Sequence, residues 1–141
     1  MVNKDLARTK LGYIATNLAI LDGKKSVSEP EFVLNTDCQY VVLHALQLAI
    51  QAALDLATHI IADEGWDVPE RSGDAFLTLG AKGVLNVELS QRLRTMASFR
   101  NLIVHEYADI NLKAVFKIWR ESLDDLRQFA TLVTTRFSIL S

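Results

Sequence analysis

With 141 residues, half of them apolar, and a net charge of −2, the chain has material for one domain (residues 1–141) and one core, with no disulfide or structural metal needed to fold. A lone cysteine, Cys38, excludes an internal disulfide and fits a reducing compartment. The apolar stretches are interrupted short of the ~20 residues that cross a bilayer, and residues 1–5 lack a signal peptide's apolar core, so a cytoplasmic protein with no membrane association is expected.

The predicted elements are all helical, since no stretch alternates apolar and polar residues for long. A first helix covers residues 3–21, with Leu6, Leu11, Ile14, Leu18 and Leu21 as its apolar stripe and Gly23 at its end. Ser28 and Glu31 form a capping-box pattern around Pro30. Helical character then persists to Glu64, where Gly65 and Pro69 stop it; the alternatives are one helix of roughly 50 Å or a break at residues 35–37. From Val41 to Ile61 this helix is apolar nearly all round. His44, Gln47, Gln51, Asp55 and Thr58 form one narrow polar stripe, which faces a cleft, solvent or an interface. Such a helix suits the centre of a bundle, or a bundle paired with a second copy, so a homodimer is expected. A short helix follows at residues 73–79. Asn86 caps a longer one carrying Leu89, Leu93, Met96, Phe99, Leu102 and Ile103. Asn111 caps a last one with Val115, Ile118, Trp119, Leu123, Leu126 and Phe129 inward. The expected architecture is an all-α antiparallel four-helix bundle with one additional short helix.

One stretch is chemically dense: Arg100, Asn101, His105, Glu106 and Tyr107 lie within eight residues at the end of the fourth long helix. Cleavage of an RNA phosphodiester needs a base for the ribose 2′-hydroxyl and an acid for the leaving oxygen, and histidine suits either role near neutral pH. It also needs a cation for the developing charge on phosphate, which a planar guanidinium supplies. On an ideal helix Arg100 and Tyr107 point nearly the same way, while Asn101 and His105 face roughly 100–140° away from Arg100. One helix by itself therefore does not close the site; a bent arginine or a partner chain must.

Other candidates are weaker. His59 and Asp63 share a helix face at metal-ligand spacing but lack a third ligand, so no metal is expected. Lys113, Lys117 and Arg120 recur on one face just after the motif and either guide an RNA backbone or form a solvated face. Charge adds a mild hint: residues 81–141 hold nine basic and six acidic side chains, against six and eleven in residues 1–80.

The run R-N-L-I-V-H-E-Y resembles the R-x-x-x-x-H-x-Y motif of the HEPN toxins, in particular their HepT-like branch. The likeness extends to residues 46–61, the Pro69 loop, residues 76–80 and residues 93–99. The resemblance implies a HEPN-like homodimer whose arginines and histidines from both protomers line one cleft. It implies a metal-independent endoribonuclease leaving a 2′,3′-cyclic phosphate, acting as the toxin of a toxin–antitoxin pair and needing no cofactor. On that template Arg100 binds the scissile phosphate, His105 is acid or base, and Asn101 orients the phosphate or His105. Tyr107 is the implied acceptor of AMP groups from a minimal nucleotidyltransferase (MNT) antitoxin. A non-catalytic nucleotide- or substrate-binding subunit of a two-chain nucleotidyltransferase is the alternative.

Overall fold

The structure, a computed structural model, describes residues 1–139; Leu140 and Ser141, which the one-domain expectation includes, lie outside the described residues. Seven α-helices occur in the order α1 (Lys4–Gly23), α2 (Glu29–Leu34), α3 (Thr36–Asp63), α4 (Ala75–Ala81), α5 (Val87–His105), α6 (Leu112–Glu121) and α7 (Leu123–Arg136), with single 3-10 turns at Ser72–Asp74 and Tyr107–Asp109. No strand occurs among the described residues.

Local chemistry sets most boundaries. The Asn3 side chain caps α1 by accepting from the Leu6 N–H at 3.1 Å. Ser28 Oγ accepts from the Glu31 N–H (3.3 Å) and donates to Glu31 Oε1 (3.0 Å), so the carboxylate returns to the hydroxyl rather than to the backbone. Of the two alternatives for residues 28–64, the break is the one formed. Asn35 ends α2 in an extended conformation and its Oδ1 accepts from the Cys38 N–H at 2.9 Å, starting α3. Gln39 Nε2 then donates to the Phe32 and Val33 carbonyls (3.0 and 2.9 Å), satisfying the end of α2 across the joint. Gly65, at φ +73°, closes α3 in a left-handed turn, with the Trp66 N–H reaching back to Ile61 O at 2.9 Å.

The expectation of one last helix from Asn111 is corrected: it divides at Ser122 into α6 and α7. Asp124 and Asp125 make an acidic first turn for α7, a charge pattern that favours a helix start, and Asp125, nearly buried, receives the Arg92 guanidinium at 2.9 Å.

Helix α3 is the hub and touches all six others. Fourteen of its residues are buried, which is why it reads apolar on nearly every side. By length and hydropathy it could cross a membrane, but 61 % of its most apolar window is buried inside the bundle, as in a core helix. Where α6 crosses the other end of the molecule, Trp119 packs against Phe32 and Phe116 (centroids 5.6 Å apart in each case), and its indole N–H donates to Leu21 O at 2.8 Å. Cys38 lies buried at the start of α3, as a small apolar side chain would.

Candidate active site

Helix α5 presents the motif and then stops. Its interior side is anchored by Leu89, Leu93, Met96, Phe99 and Ile103, which leaves Arg100 half-buried and Asn101 and His105 exposed at the rim. Arg100 Nη1 donates to Asn101 Oδ1 at 2.9 Å. Its Nε is shielded from solvent without a partner among the described residues, so turning the guanidinium onto an incoming phosphate oxygen would satisfy a donor that the free chain leaves unpaired. His105 is the last residue of α5, five residues beyond Arg100. That separation is ~7.5 Å along the axis and ~140° around it, and no hydrogen bond joins the two side chains. The structure brings Asn101 to Arg100 and sets His105 one turn beyond Asn101 on the same face of α5, away from Arg100.

Glu106, at φ −129° and ψ 35°, breaks the helix, and its N–H makes the last helical bond to Leu102 O at 2.9 Å. Tyr107 therefore does not continue the ideal-helix direction shared with Arg100. The 3-10 turn it opens carries its ring onto α3, where it stacks on Tyr40 with centroids 5.6 Å apart and planes 18° from parallel. Both rings stay open to solvent, Tyr40 at 57 % and Tyr107 at 40 %. Partial burial, and then the charge and hydrogen bonding of Tyr40, push the Tyr107 phenol above its ordinary pKa, so the hydroxyl is held in its neutral form.

A cleft of about 360 Å³ opens beside this pair, walled by Val41, Leu43 and Ile103 and bordered by His44 and Gln47; a smaller one of about 180 Å³ lies against Tyr40 and Tyr107 with Ala108 and Ile110. The polar stripe of α3 is thus divided between two settings. His44 and Gln47 face the cleft at the motif. Gln51 donates to Asp55 at 2.6 Å, and Asp55 pairs with Lys10 of α1 at 3.2 Å. Tyr40 was not singled out from sequence. The available signal was its spacing: positions 40, 44, 47, 51 and 55 continue the stripe one turn further back.

Of the three expected backbone-contacting cations, Lys113 and Lys117 are exposed on α6. Arg120 is engaged elsewhere, which corrects its grouping with them. Its two terminal nitrogens donate to the Lys25 and Val27 carbonyls, and its guanidinium lies over the Phe116 and Trp119 rings at 4.7 and 4.5 Å. It fastens the α1–α2 loop to α6. Asp63 likewise has a structural partner, accepting from the Asn3 N–H at 2.9 Å. No group of three or more metal-ligating side chains converges among the described residues.

This arrangement matches known proteins closely. The ribonuclease HepT-like family matches residues 14–133. The mRNA nuclease HepT of Shewanella oneidensis is 30 % identical over 73 % of this chain and 77 % of its own. The tRNA nuclease HepT of Aphanizomenon flos-aquae is 30 % identical over 79 % of this chain and 76 % of its own. Among solved structures, a tri-AMPylated HEPN toxin of Shewanella oneidensis in complex with its MNT antitoxin superposes with a TM-score of 0.84 at 27 % identity, covering 93 % of this chain and 98 % of that one. With the family matched over most of its length, and the motif standing at the end of α5 on the same fold, the chain belongs to the HepT-like ribonuclease family.

Proposed function

We propose that the chain is the toxin of a HEPN/MNT pair: a cytoplasmic, homodimeric, metal-independent endoribonuclease, folded as one HEPN-like domain over residues 1–141 and neutralised by AMPylation of Tyr107. The observation that carries this is the set Arg100, Asn101, His105 and Tyr107 at the end of α5, on a fold shared with a toxin held by its antitoxin. In the dimer two copies of the α5 end face one cleft. One His105 takes the proton of the ribose 2′-hydroxyl, whose oxygen attacks the phosphorus. The bond to the 5′-oxygen breaks, and a proton returns to that leaving oxygen from solvent, giving a 2′,3′-cyclic phosphate and a 5′-hydroxyl. Arg100, oriented by Asn101, holds the non-bridging oxygens as their charge grows. Lys113 and Lys117 lie on α6 for the flanking backbone.

Neutralisation follows from the position of Tyr107. Its hydroxyl oxygen attacks the α-phosphorus of ATP bound by the antitoxin, pyrophosphate leaves, and the AMP left on the ring places an anion beside the motif, where it repels RNA.

The test is cleavage of an RNA panel by purified protein in EDTA, beside Arg100→Ala and His105→Ala. Each substitution is expected to lower the rate about 10²- to 10⁴-fold, with cyclic-phosphate ends on the wild-type products. Intact mass before and after incubation with the antitoxin and ATP reports AMP addition, which Tyr107→Phe abolishes. No cleavage by unmodified dimer on any RNA would instead make the chain the nucleotide-binding subunit of a two-chain nucleotidyltransferase.

A further inference from the structure

The cleft beside the stacked tyrosines has no role in the chemistry above, and its walls have a definite character. Tyr40 and Tyr107 stack on each other with each ring about half exposed, and the remaining walls, Val41, Leu43 and Ile103, are aliphatic. Two polar side chains border it, Gln47 and His44, and neither makes a hydrogen bond among the described residues. An amide and an imidazole without partners, at the edge of an apolar slot faced by an aromatic plate, match a planar ligand with hydrogen-bonding edges. The volume, about 360 Å³, suits one such ligand. Ile103 is three residues beyond Arg100 on α5, and Tyr107 is two residues beyond His105, so the cleft lies at the same end of α5 as the motif.

We propose that this cleft is a nucleobase subsite, with the Tyr40–Tyr107 pair stacking an unpaired base and Gln47 and His44 reading its edge. It rests on the ribonuclease reading only for the neighbouring phosphate. A glutamine amide pairs two-pronged with an adjacent donor and acceptor such as adenine's N6 and N7, so adenine is the base tested first. The same chemistry, an adenine one phosphate away, comes either from RNA or from an AMP on Tyr107. Tyr40 and Gln47 then determine which nucleotide flanks the cut.

The experiment measures binding of a short 2′-O-methyl oligoadenylate, which cannot be cleaved through its 2′-oxygen, against the same strand with abasic positions. Binding is compared for wild type, Tyr40→Ala and Gln47→Leu, each checked for an unchanged melting temperature. Stacking of one base is worth a factor of about 5 to 150 in affinity, so wild type should prefer the base-bearing strand by that factor and Tyr40→Ala should lose the preference. Gln47→Leu should keep stacking but lose the discrimination of adenine from uracil. A second arm compares melting of Tyr107-adenylated protein with and without Tyr40→Ala; a stabilisation by AMP that needs Tyr40 identifies the modification as an occupant. Equal binding of base-bearing and abasic strands together with no Tyr40-dependent effect of AMP overturns the subsite, as does Tyr40→Ala turning a dimer into a monomer, which would make the cleft an interface between copies. RNA cleavage measured on the same samples separates the two ideas: cleavage with no base dependence removes only the subsite, and base-dependent binding without cleavage removes only the nuclease.

Discussion

Tyr107 is the residue at which packing, ionisation and regulation meet. Its phenol is raised above the ordinary value of about 10 first by partial burial and then by the Tyr40 hydroxyl alongside it. A folded-state pKa above the unfolded one means that the associated stability is complete below about pH 10 and is lost as pH rises through the raised value. Tyr40→Phe keeps the stacked ring and removes the neighbouring hydroxyl. The Tyr107 midpoint should therefore move down, yet stay above the ordinary value because burial, the largest cause, remains. The chain has three tyrosines, so an absorbance titration in a Tyr13→Phe, Tyr40→Phe background reads Tyr107 alone. An unmoved midpoint relative to Tyr13→Phe would show that Tyr40 has no electrostatic hold on it.

At the scale of elements, α4 and α5 meet at a glycine. A Cβ on Gly80 would lie 2.6 Å from Ser90 Oγ and 2.8 Å from Ser90 Cβ, and Ser90 is buried with its hydroxyl donating to Val87 O at 2.7 Å. Gly80→Ala should destabilise by about 1–3 kcal/mol despite the better helix propensity of alanine. In a Ser90→Gly background the added cost should shrink; a denaturant double-mutant cycle measures the coupling, and additivity would mean that the helices do not press on each other there. Helix α6 carries a second contrast. Arg120→Lys loses the planar two-carbonyl clasp and its stacking on Phe116 and Trp119, so the melting temperature should fall by the equivalent of about 1–3 kcal/mol. Lys117→Ala should leave melting nearly unchanged and flatten the salt dependence of RNA binding instead. Where sequence was a good guide, the determinant is local: Asn3, Ser28, Asn35, Asn86 and Asn111 each accept a hydrogen bond within three residues and start a helix where their chemistry says it should. The division at Ser122 was legible in the Asp124–Asp125 pair but was masked by a continuous apolar stripe through Trp119 and Leu123. Arg120 on the Lys25 and Val27 carbonyls, and Tyr107 on Tyr40, depend on chain segments meeting from far apart, and no periodicity reports that. The motif itself stood out as a cluster of residue types at the end of a helix; the turn at Glu106 that carries Tyr107 away from Arg100 and onto Tyr40 did not.

For the whole molecule the decisive geometry is what one chain does not assemble. Arg100 and His105 sit ~140° apart around α5, Arg100 is paired with Asn101, and His105 is exposed. If a two-fold dimer apposes the ends of α5 so that the arginine of one protomer meets the histidine of its partner, the isologous interface forms that cross-contact twice. A composite site of this kind has a consequence that a site within one chain lacks. Arg100→Ala and His105→Ala, each inactive as a homodimer, should form about half heterodimers when unfolded together and refolded at equal amounts. Each heterodimer retains one arginine and one histidine on opposite chains, so cleavage should reappear at a fraction of the wild-type rate and follow the heterodimer population when the mixing ratio is varied. A mixture that stays as inactive as its components, with heterodimers verified by mass, would place each Arg100 with the His105 of its own chain and require the arginine to bend across its helix instead.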